Sequence, residues 1–282
     1  MNNNTVMKEF LRTAVNIEAY NEQGTITHTG TGFFYKIKLG TGKDYGKHVH
    51  ICLVSNKHVL EKVTSISIYD NLNSFNKEEV PDNQKYTVQD VKDRIIIHEN
   101  QDLAVINISD LMMKWIANDT QHTFKFIDND LTAHENELDI LNSDIFMVGF
   151  PMSLQSEVSF KGVIYRGKLA FPPDMKFAYD DNYVLNMDGY SGNSGSPIFA
   201  IQPSVRQGYE IKLIGIQCSI YNPVTGYHET GEFRQHVSLT NAVKVKYLQE
   251  LEPKIDAQWK RDFADPKSMA RIMEQIYDQG TQ

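Results

Sequence analysis

The stretch "DGYSGNSGSPIF", residues 188–199, decides how this chain is read. Within it Gly192, Asn193, Ser194, Gly195 and Ser196 crowd together, and Pro197 then opens onto apolar Ile198 and Phe199. Glycines gather where a backbone needs positive φ or where another group must come close. A proline after such a run fixes the chain as it enters the next strand. Two readings fit the residues. One is a tight hairpin loop, since glycine and serine are ordinary turn formers. The other is a nucleophile, Ser194, on a sharp turn with bare backbone N–H groups around it. The loop alone does not choose between them.

The rest of the chain bounds the choice. Its 282 residues allow one large domain or two ordinary ones, and 41 % hydrophobic with 23 % charged residues is a globular balance. A net charge of −8 argues against a nucleic-acid partner, which needs phosphate neutralisation, and against a polybasic membrane anchor. The start, "MNNNTVMKEF", has neither the basic residues nor the apolar run of a signal peptide. No segment reaches the roughly 18 consecutive apolar residues of a membrane helix. A cytoplasmic location is expected. Cys52 and Cys218, the two cysteines, lie far apart and are read as buried free thiols rather than a disulfide framework.

Short runs rich in β-branched and aromatic residues dominate. "TGTGFFYKIKL" (29–39), "HVHICLVSN" (48–56), "TSISIYD" (64–70), "DRIIIHE" (93–99) and "DLAVINI" (102–108) form a first series. "DIFMVGF", "VSFKGVIYRGKLAF", "NYVLNM", "SPIFAIQ" and "IKLIGIQCSIY" form a second. Strands at this spacing without helical periodicity predict an all-β chain of antiparallel barrels or sandwiches. The polar, acidic stretch 111–143 reads as a connection, partly helical near Met112 to Ile116. Val243, Tyr247, Leu248 and Leu251 recur at helical spacing, and a second helix is expected after Pro253, with Asp265 as N-cap and Pro266 in its first turn. The division is therefore 1–120 for a first barrel, 121–240 for the connection and a second barrel, and 241–282 for a helical tail.

A serine hydroxyl needs a base to take its proton, and the base needs an orienting group. Nine histidines are available. His48 and His50 share one strand face and could bind a metal, but no third ligand is apparent, so no metal site is expected. His28, His122, His134, His228 and His236 fall in polar segments. His58 differs, because it ends the apolar strand "ICLVSNKHVL". Asp102 differs too, because it stands at the mouth of "LAVINI", where a carboxylate is costly unless paired.

These three segments resemble a known pattern. "SNKHVL", "QDLAVINI" and "GNSGSPIF" are similar to the histidine, aspartate and serine segments of trypsin-like serine peptidases, in the chymotrypsin order His58, Asp102, Ser194. "GTGFFYKI", "MVGFP" and "KLIGIQCSI" are similar to flanking strands of that family, so the resemblance runs from about Val15 to Leu248. "GNSGSP", with Asn193 before the serine, resembles the bacterial glutamyl-endopeptidase and exfoliative-toxin branch. "NKHV" and "DLAVI" resemble the bacterial stress proteases that carry PDZ domains, although no PDZ-sized segment follows. The resemblance implies two antiparallel six-stranded β-barrels with C-terminal helices.

It also implies roles: Ser194 as nucleophile, His58 as base, Asp102 as its orienter, and the N–H groups of Gly192 and Ser194 as the oxyanion hole. No cofactor is implied. The partners expected are a protein or peptide substrate and, because Asn193 carries no charge to pair with a new N-terminus, an activating protein remains open. Asp188 stands where trypsin-like members carry a pocket aspartate, which would favour cleavage after Arg or Lys. Read as an exposed turn residue instead, it leaves a pocket lined by Tyr190, Gln217 and Ser219 that suits small or apolar residues. A catalytically silent barrel that binds proteins is the alternative to an endopeptidase.

Overall fold

The computed structural model describes residues 11–39, 48–70, 84–118, 124–133, 139–153, 162–175, 181–204, 208–228, 231–235 and 237–262. The first half is built from β1 (Val15–Tyr20), β2 (Ile26–Leu39), β3 (His48–Ser55), β4 (Ser65–Asp70), β5 (Gln84–Val88), β6 (Ile95–Ile97), β7 (Ala104–Asn107) and β8 (Phe126–Asp128). Their order is β5-β4-β1-β2-β3-β7-β6, with β8 added in parallel to β2. The second half is a closed barrel, β10-β11-β16-β13-β12-β9. It comprises β9 (Asp144–Gly149), β10 (Val163–Leu169), β11 (Asn182–Asn186), β12 (Pro197–Ser204), β13 (Gly208–Ile220) and β16 (Leu239–Lys244). β14 (Val224–His228) and β15 (Gly231–Arg234) form a separate hairpin.

The second barrel has the six strands expected. The first half is a curled sheet rather than a closed barrel: among the described residues its end strands β5 and β6 do not pair. Long β2 makes the curl. Its residues 26–32 pair with β1 and its residues 33–39 with β3, so the strand changes partners just after Gly30-Thr31-Gly32. Neither glycine has room for a side chain. A Cβ on Gly32 would lie 2.6 Å from Ile17 Cδ1 and 2.8 Å from the Val54 carbonyl oxygen.

The apolar runs of the first series do not alternate with polar residues, because both faces of the central strands are buried. Phe34, Leu53, Ala104 and Ile106 pack into the first half's own core with Ile17, Ile66 and Ile68. Their neighbours Phe33, Tyr35, Cys52, Val54, Leu103 and Val105 join a second cluster. That cluster continues into the barrel interior through Ile145, Met147, Ile198 and Ile216. One continuous core thus ties the two halves.

Four helices are described: α1 (Lys57–Leu60), α2 (Val91–Arg94), α3 (Ser109–Asn118) and α4 (Val245–Asp262). α3 covers the helical part expected of the connection, and β8 is a strand that its polar composition hid. Asp93 and Arg94, expected in a strand, lie in the turn α2, where Arg94 makes a two-bond fork on Asp110 at 2.8 and 2.9 Å. α4 departs further from expectation, since it runs through Pro253. Leu248, Leu251 and Ile255 are fully buried. Polar contacts to the first half reinforce them. Tyr35 Oη donates to Glu252 at 2.6 Å, His50 Nε2 lies 3.2 Å from Asp256, and His98 Nε2 lies 3.1 Å from Glu250. These contacts offset the backbone hydrogen bond that an interior proline forgoes. The helix expected from Asp265 onward lies outside the described residues. Among the described residues no helix is long and apolar enough to cross a membrane.

Candidate active site

β3 and β7 run antiparallel with Ser55 opposite Ala104. That register brings the residues just after β3 and those just before β7 to the same end of the sheet. His58 and Asp102 therefore meet although they are 44 residues apart. Asp102 Oδ2 lies 2.6 Å from His58 Nδ1, and its Oδ1 accepts the His58 backbone N–H at 3.0 Å. A carboxylate only accepts, so the tautomer of the neutral ring that fits carries its proton on Nδ1 and its lone pair on Nε2. Asn56 Nδ2 donates to the Asp102 carbonyl at 2.7 Å and pins that segment. The pair is not deeply buried: the side chains are 45 % and 34 % exposed.

Ser194 comes from the other half. Its loop docks on the first sheet through close backbone approaches. The Thr31 N–H donates to the Ser194 carbonyl at 2.8 Å. A Cβ on Gly30 would lie 2.9 Å from Val59 Cγ1 and 3.1 Å from that same carbonyl oxygen. Gly30 thus stands between the Ser194 backbone and the residue next to His58. Gly195 has φ +93° and faces the same wall, where a Cβ would fall 2.0 Å from the Thr31 carbonyl oxygen and 2.2 Å from Ser55 Oγ. Only glycine fits there, for conformation and for space.

The peptide groups of the loop alternate. Asn193 N–H donates to the Tyr190 carbonyl at 3.1 Å, Gly195 N–H to Gln217 at 2.9 Å, and Ser196 N–H to Asn193 at 2.9 Å. Among the described residues, neither the Gly192 N–H nor the Ser194 N–H donates to a protein acceptor. Gly192, at φ +92°, is hemmed in as well: a Cβ would lie 2.5 Å from the Phe150 carbonyl oxygen and 2.8 Å from Met152 N. Met152 and Ser153 are themselves left-handed, at φ 51° and 47°. The Met152 N–H donates to the Ser191 carbonyl. The peptide being planar and trans, this turns the Gly192 N–H to the opposite side.

The four pocket residues separate. Gln217 is 1 % exposed, and its backbone pairs with the serine loop through Gly195 and Ser196. Its side-chain Oε1 is buried and, among the described residues, has no hydrogen-bond partner. Ser219 is exposed and accepts from Asn241 Nδ2 at 3.0 Å. Tyr190 is 40 % exposed, with its ring 6.2 Å from that of Tyr165. Asp188 is exposed, and its Oδ1 accepts from Ser238 Oγ at 2.6 Å. Two further residues, Ile220 and the fully buried Thr240, pack against the neighbour of Asp188. They close on Gly189, where a Cβ would meet Ile220 Cγ2 at 2.4 Å and Thr240 Oγ1 at 2.7 Å.

Among the described residues no group of three His, Cys, Asp or Glu is placed to hold a metal ion. Of the H-x-H pair, His50 is engaged with Asp256, and the His48 side chain lies outside the described residues. Cys52 and Cys218 are both free thiols and buried.

The chain is similar in fold to solved proteases. One is the serine endoprotease from Yersinia pestis, at 15 % identity and a TM-score of 0.50, covering 89 % of this chain and 65 % of that one. Another is the HtrA-type protease AlgW with a tripeptide, at 15 % identity and a TM-score of 0.51, covering 88 % and 62 %. The chain thus spans less than two thirds of the length of these neighbours. Among curated protein sequences none matches it. The model of the trypsin-like peptidase domain matches residues 30–205, more than half of the chain and all of the segment from Gly30 to the serine loop. The chain belongs to the trypsin-like peptidase family.

Proposed function

We propose that the chain is a serine endopeptidase that cleaves peptide bonds through Ser194, His58 and Asp102 and an acyl-enzyme intermediate. The alternation of the serine loop carries the reading. Gly192 and Ser194 keep their N–H groups unengaged beside the serine hydroxyl while the amides between and after them are tied down. A mere hairpin would have no reason to hold two donors ready. Such preset donors stabilise the negative oxygen of a tetrahedral intermediate better than mobile water does.

The steps follow from the groups present. Ser194 Oγ attacks the substrate carbonyl carbon as His58 Nε2 takes its proton. The carbonyl oxygen becomes an oxyanion facing the Gly192 and Ser194 amides. His58 then protonates the leaving amine, the C–N bond breaks, and an ester on Ser194 remains. Water, deprotonated by His58, hydrolyses it. Asp102 keeps the imidazole in the accepting tautomer throughout and stabilises its charged form.

The geometry supports the small or apolar alternative for the residue before the scissile bond. Asp188 is exposed and taken up by Ser238, while Ile220 and Thr240 fill the space over Gly189. The Asp188 carboxylate therefore offers no buried counter-charge for a substrate Arg or Lys.

Reaction of the protein with a fluorophosphonate tests the function. The wild type should label on Ser194 and cleave a peptide library. Ser194→Ala should lose labelling and about 10⁴-fold or more of turnover, with its melting temperature retained. Near-normal cleavage by Ser194→Ala would sink the assignment.

A further inference from the structure

We infer that Thr31 is a positioning residue of the oxyanion hole, acting from the opposite half of the molecule. The inference rests on the peptidase reading but concerns a residue outside the triad and the serine loop. Thr31 is fully buried where β2 changes partners. Its Oγ1 donates to the Gly192 carbonyl at 2.8 Å and accepts the Phe150 N–H at 3.0 Å. The direction is fixed by its partners. The Phe150 amide can only donate, so the one hydroxyl proton goes to the Gly192 oxygen. Its backbone N–H donates to the Ser194 carbonyl at 2.8 Å, and its carbonyl accepts from Ser55 Oγ at 2.6 Å.

Four consecutive peptides make up the catalytic loop, from Ser191–Gly192 to Ser194–Gly195. The carbonyl of the first is held by Met152, the second by Thr31 Oγ1, the third by the Ser196 N–H, and the fourth by the Thr31 N–H. The second and fourth peptides also have their N–H groups engaged, with Tyr190 and Gln217. They are therefore fixed at both ends. The first and third, whose N–H groups form the oxyanion hole, are fixed only at their carbonyls and inherit their aim from the neighbours. Thr31 supplies one end of both fixed peptides. Its hydroxyl also ties Gly192 to Phe150, the residue that precedes the left-handed turn at Met152 and Ser153. Removing the hydroxyl leaves the Gly192 oxygen without its donor and the Phe150 amide without its acceptor. The Gly192–Asn193 peptide can then rotate, and the Gly192 N–H loses its aim. Sterics account for the flanking glycines, and the loop's hydrogen bonds account for the hydroxyl between them.

Thr31→Val keeps the shape and removes the hydroxyl, and Thr31→Ser keeps the hydroxyl and removes a methyl. Loss of one oxyanion donor costs about 10²- to 10³-fold in kcat. A misaimed donor retained in place should cost less, about 10- to 10²-fold. Thr31→Val should show that loss in kcat, with KM changed less than about threefold, and should lose affinity for a peptide boronate by a similar factor. Thr31→Ser should recover kcat to within about threefold. A packing role would instead make Thr31→Ser at least as poor as Thr31→Val. If Thr31→Val does not fold, Thr31→Ala replaces it, and the comparison with Thr31→Ser still turns on the hydroxyl. An active wild type matched in kcat by either hydroxyl-free variant overturns the role of Thr31 alone. A wild type that neither cleaves nor labels overturns the peptidase reading itself, and this role with it.

Discussion

Replacing Asp102 by asparagine changes almost no volume, so its effect isolates the hydrogen-bond logic of the site. Asp102 accepts twice from one residue: Oδ1 takes the His58 backbone N–H and Oδ2 faces Nδ1. An amide can satisfy only one of these. If its oxygen keeps the backbone N–H, its NH₂ points at Nδ1 and demands a lone pair there. The proton then moves to Nε2, and the ring can no longer accept from Ser194. If its oxygen turns to Nδ1, its NH₂ meets the backbone N–H donor to donor. Leaving such donors unsatisfied costs about 1–3 kcal/mol. The charge opposite the imidazolium is lost in either case. With His58 and Asp102 45 % and 34 % exposed, solvent screens that pair, and about 2 kcal/mol is a reasonable discount on the roughly 4 kcal/mol of two charges 4 Å apart near a surface. Together these terms predict that Asp102→Asn lowers kcat by about 10²- to 10⁴-fold, at about 1.4 kcal/mol per tenfold. Steady-state cleavage of a peptide ester and the second-order rate of fluorophosphonate labelling should fall together. KM should hardly move. A loss under tenfold, or a loss confined to KM, would refute the argument.

The pocket and the barrel's electrostatics can each be tested. Asp188→Ser should leave the preference before the scissile bond unchanged in a peptide-library profile. A collapse of cleavage after Arg or Lys in Asp188→Ser would restore the charged pocket. Asp181 tests the barrel's electrostatics: burial alone would raise its carboxyl, but hydrogen bonds from Lys244, Lys246 and Tyr247 outweigh burial and hold it well below the usual range. Its stabilising effect is therefore full above the unfolded value of about 3.9 and is lost as pH falls toward the lower folded value. Asp181→Asn should melt below wild type at pH 7, and the gap should close below about pH 4. A gap independent of pH would show that packing, not charge, is responsible.

The sequence exposed the three residues proposed as the triad because each sits in a setting that local chemistry explains: the short helix just after a strand, the mouth of a strand and a glycine-rich turn. It exposed the barrel strands because β-branched runs have few other uses. Other features depend on neighbours distant in the chain. Asp188 stands six residues before Ser194, but only Ser238 shows which way its side chain turns. β8 is only three residues long, sits inside a polar stretch and borrows its pairing from β2, so its Phe126 and Ile127 are too few to announce a strand. Pro253 is a helix breaker by local rule, and the buried contacts of Leu251 and Ile255 override that rule. "GTG" at 30–32 was legible as part of a strand. What each glycine avoids, and what the threonine holds, became visible only against Val59, Ser194 and Gly192.

The division of the site between two halves poses a mechanical demand. His58 and Asp102 ride on the first sheet, Ser194 on the barrel, and proton transfer tolerates little error between them. A flexible seam would defeat it. The seam is instead part of the core. Alternate residues of the central strands, Cys52 and Val54 on β3 and Leu103 and Val105 beside and on β7, pack in one cluster with Ile198 and Ile216 of the barrel. The same cluster holds Leu248, Leu251 and Ile255 of α4. β3 ends just before the helix that carries His58 and β7 begins just after Asp102, so α4 backs the wall that carries both. Its polar face repeats the arrangement, with Glu250, Glu252 and Asp256 reaching His98, Tyr35 and His50 of the first half. A segment remote from Ser194 in sequence thereby stiffens the proposed base and its orienter. Close packing resists sliding because any displacement opens voids on one side and overlaps on the other. The apolar cluster sets the distance between the halves, and the hydrogen bonds of Thr31 set the rotation of the serine loop within it.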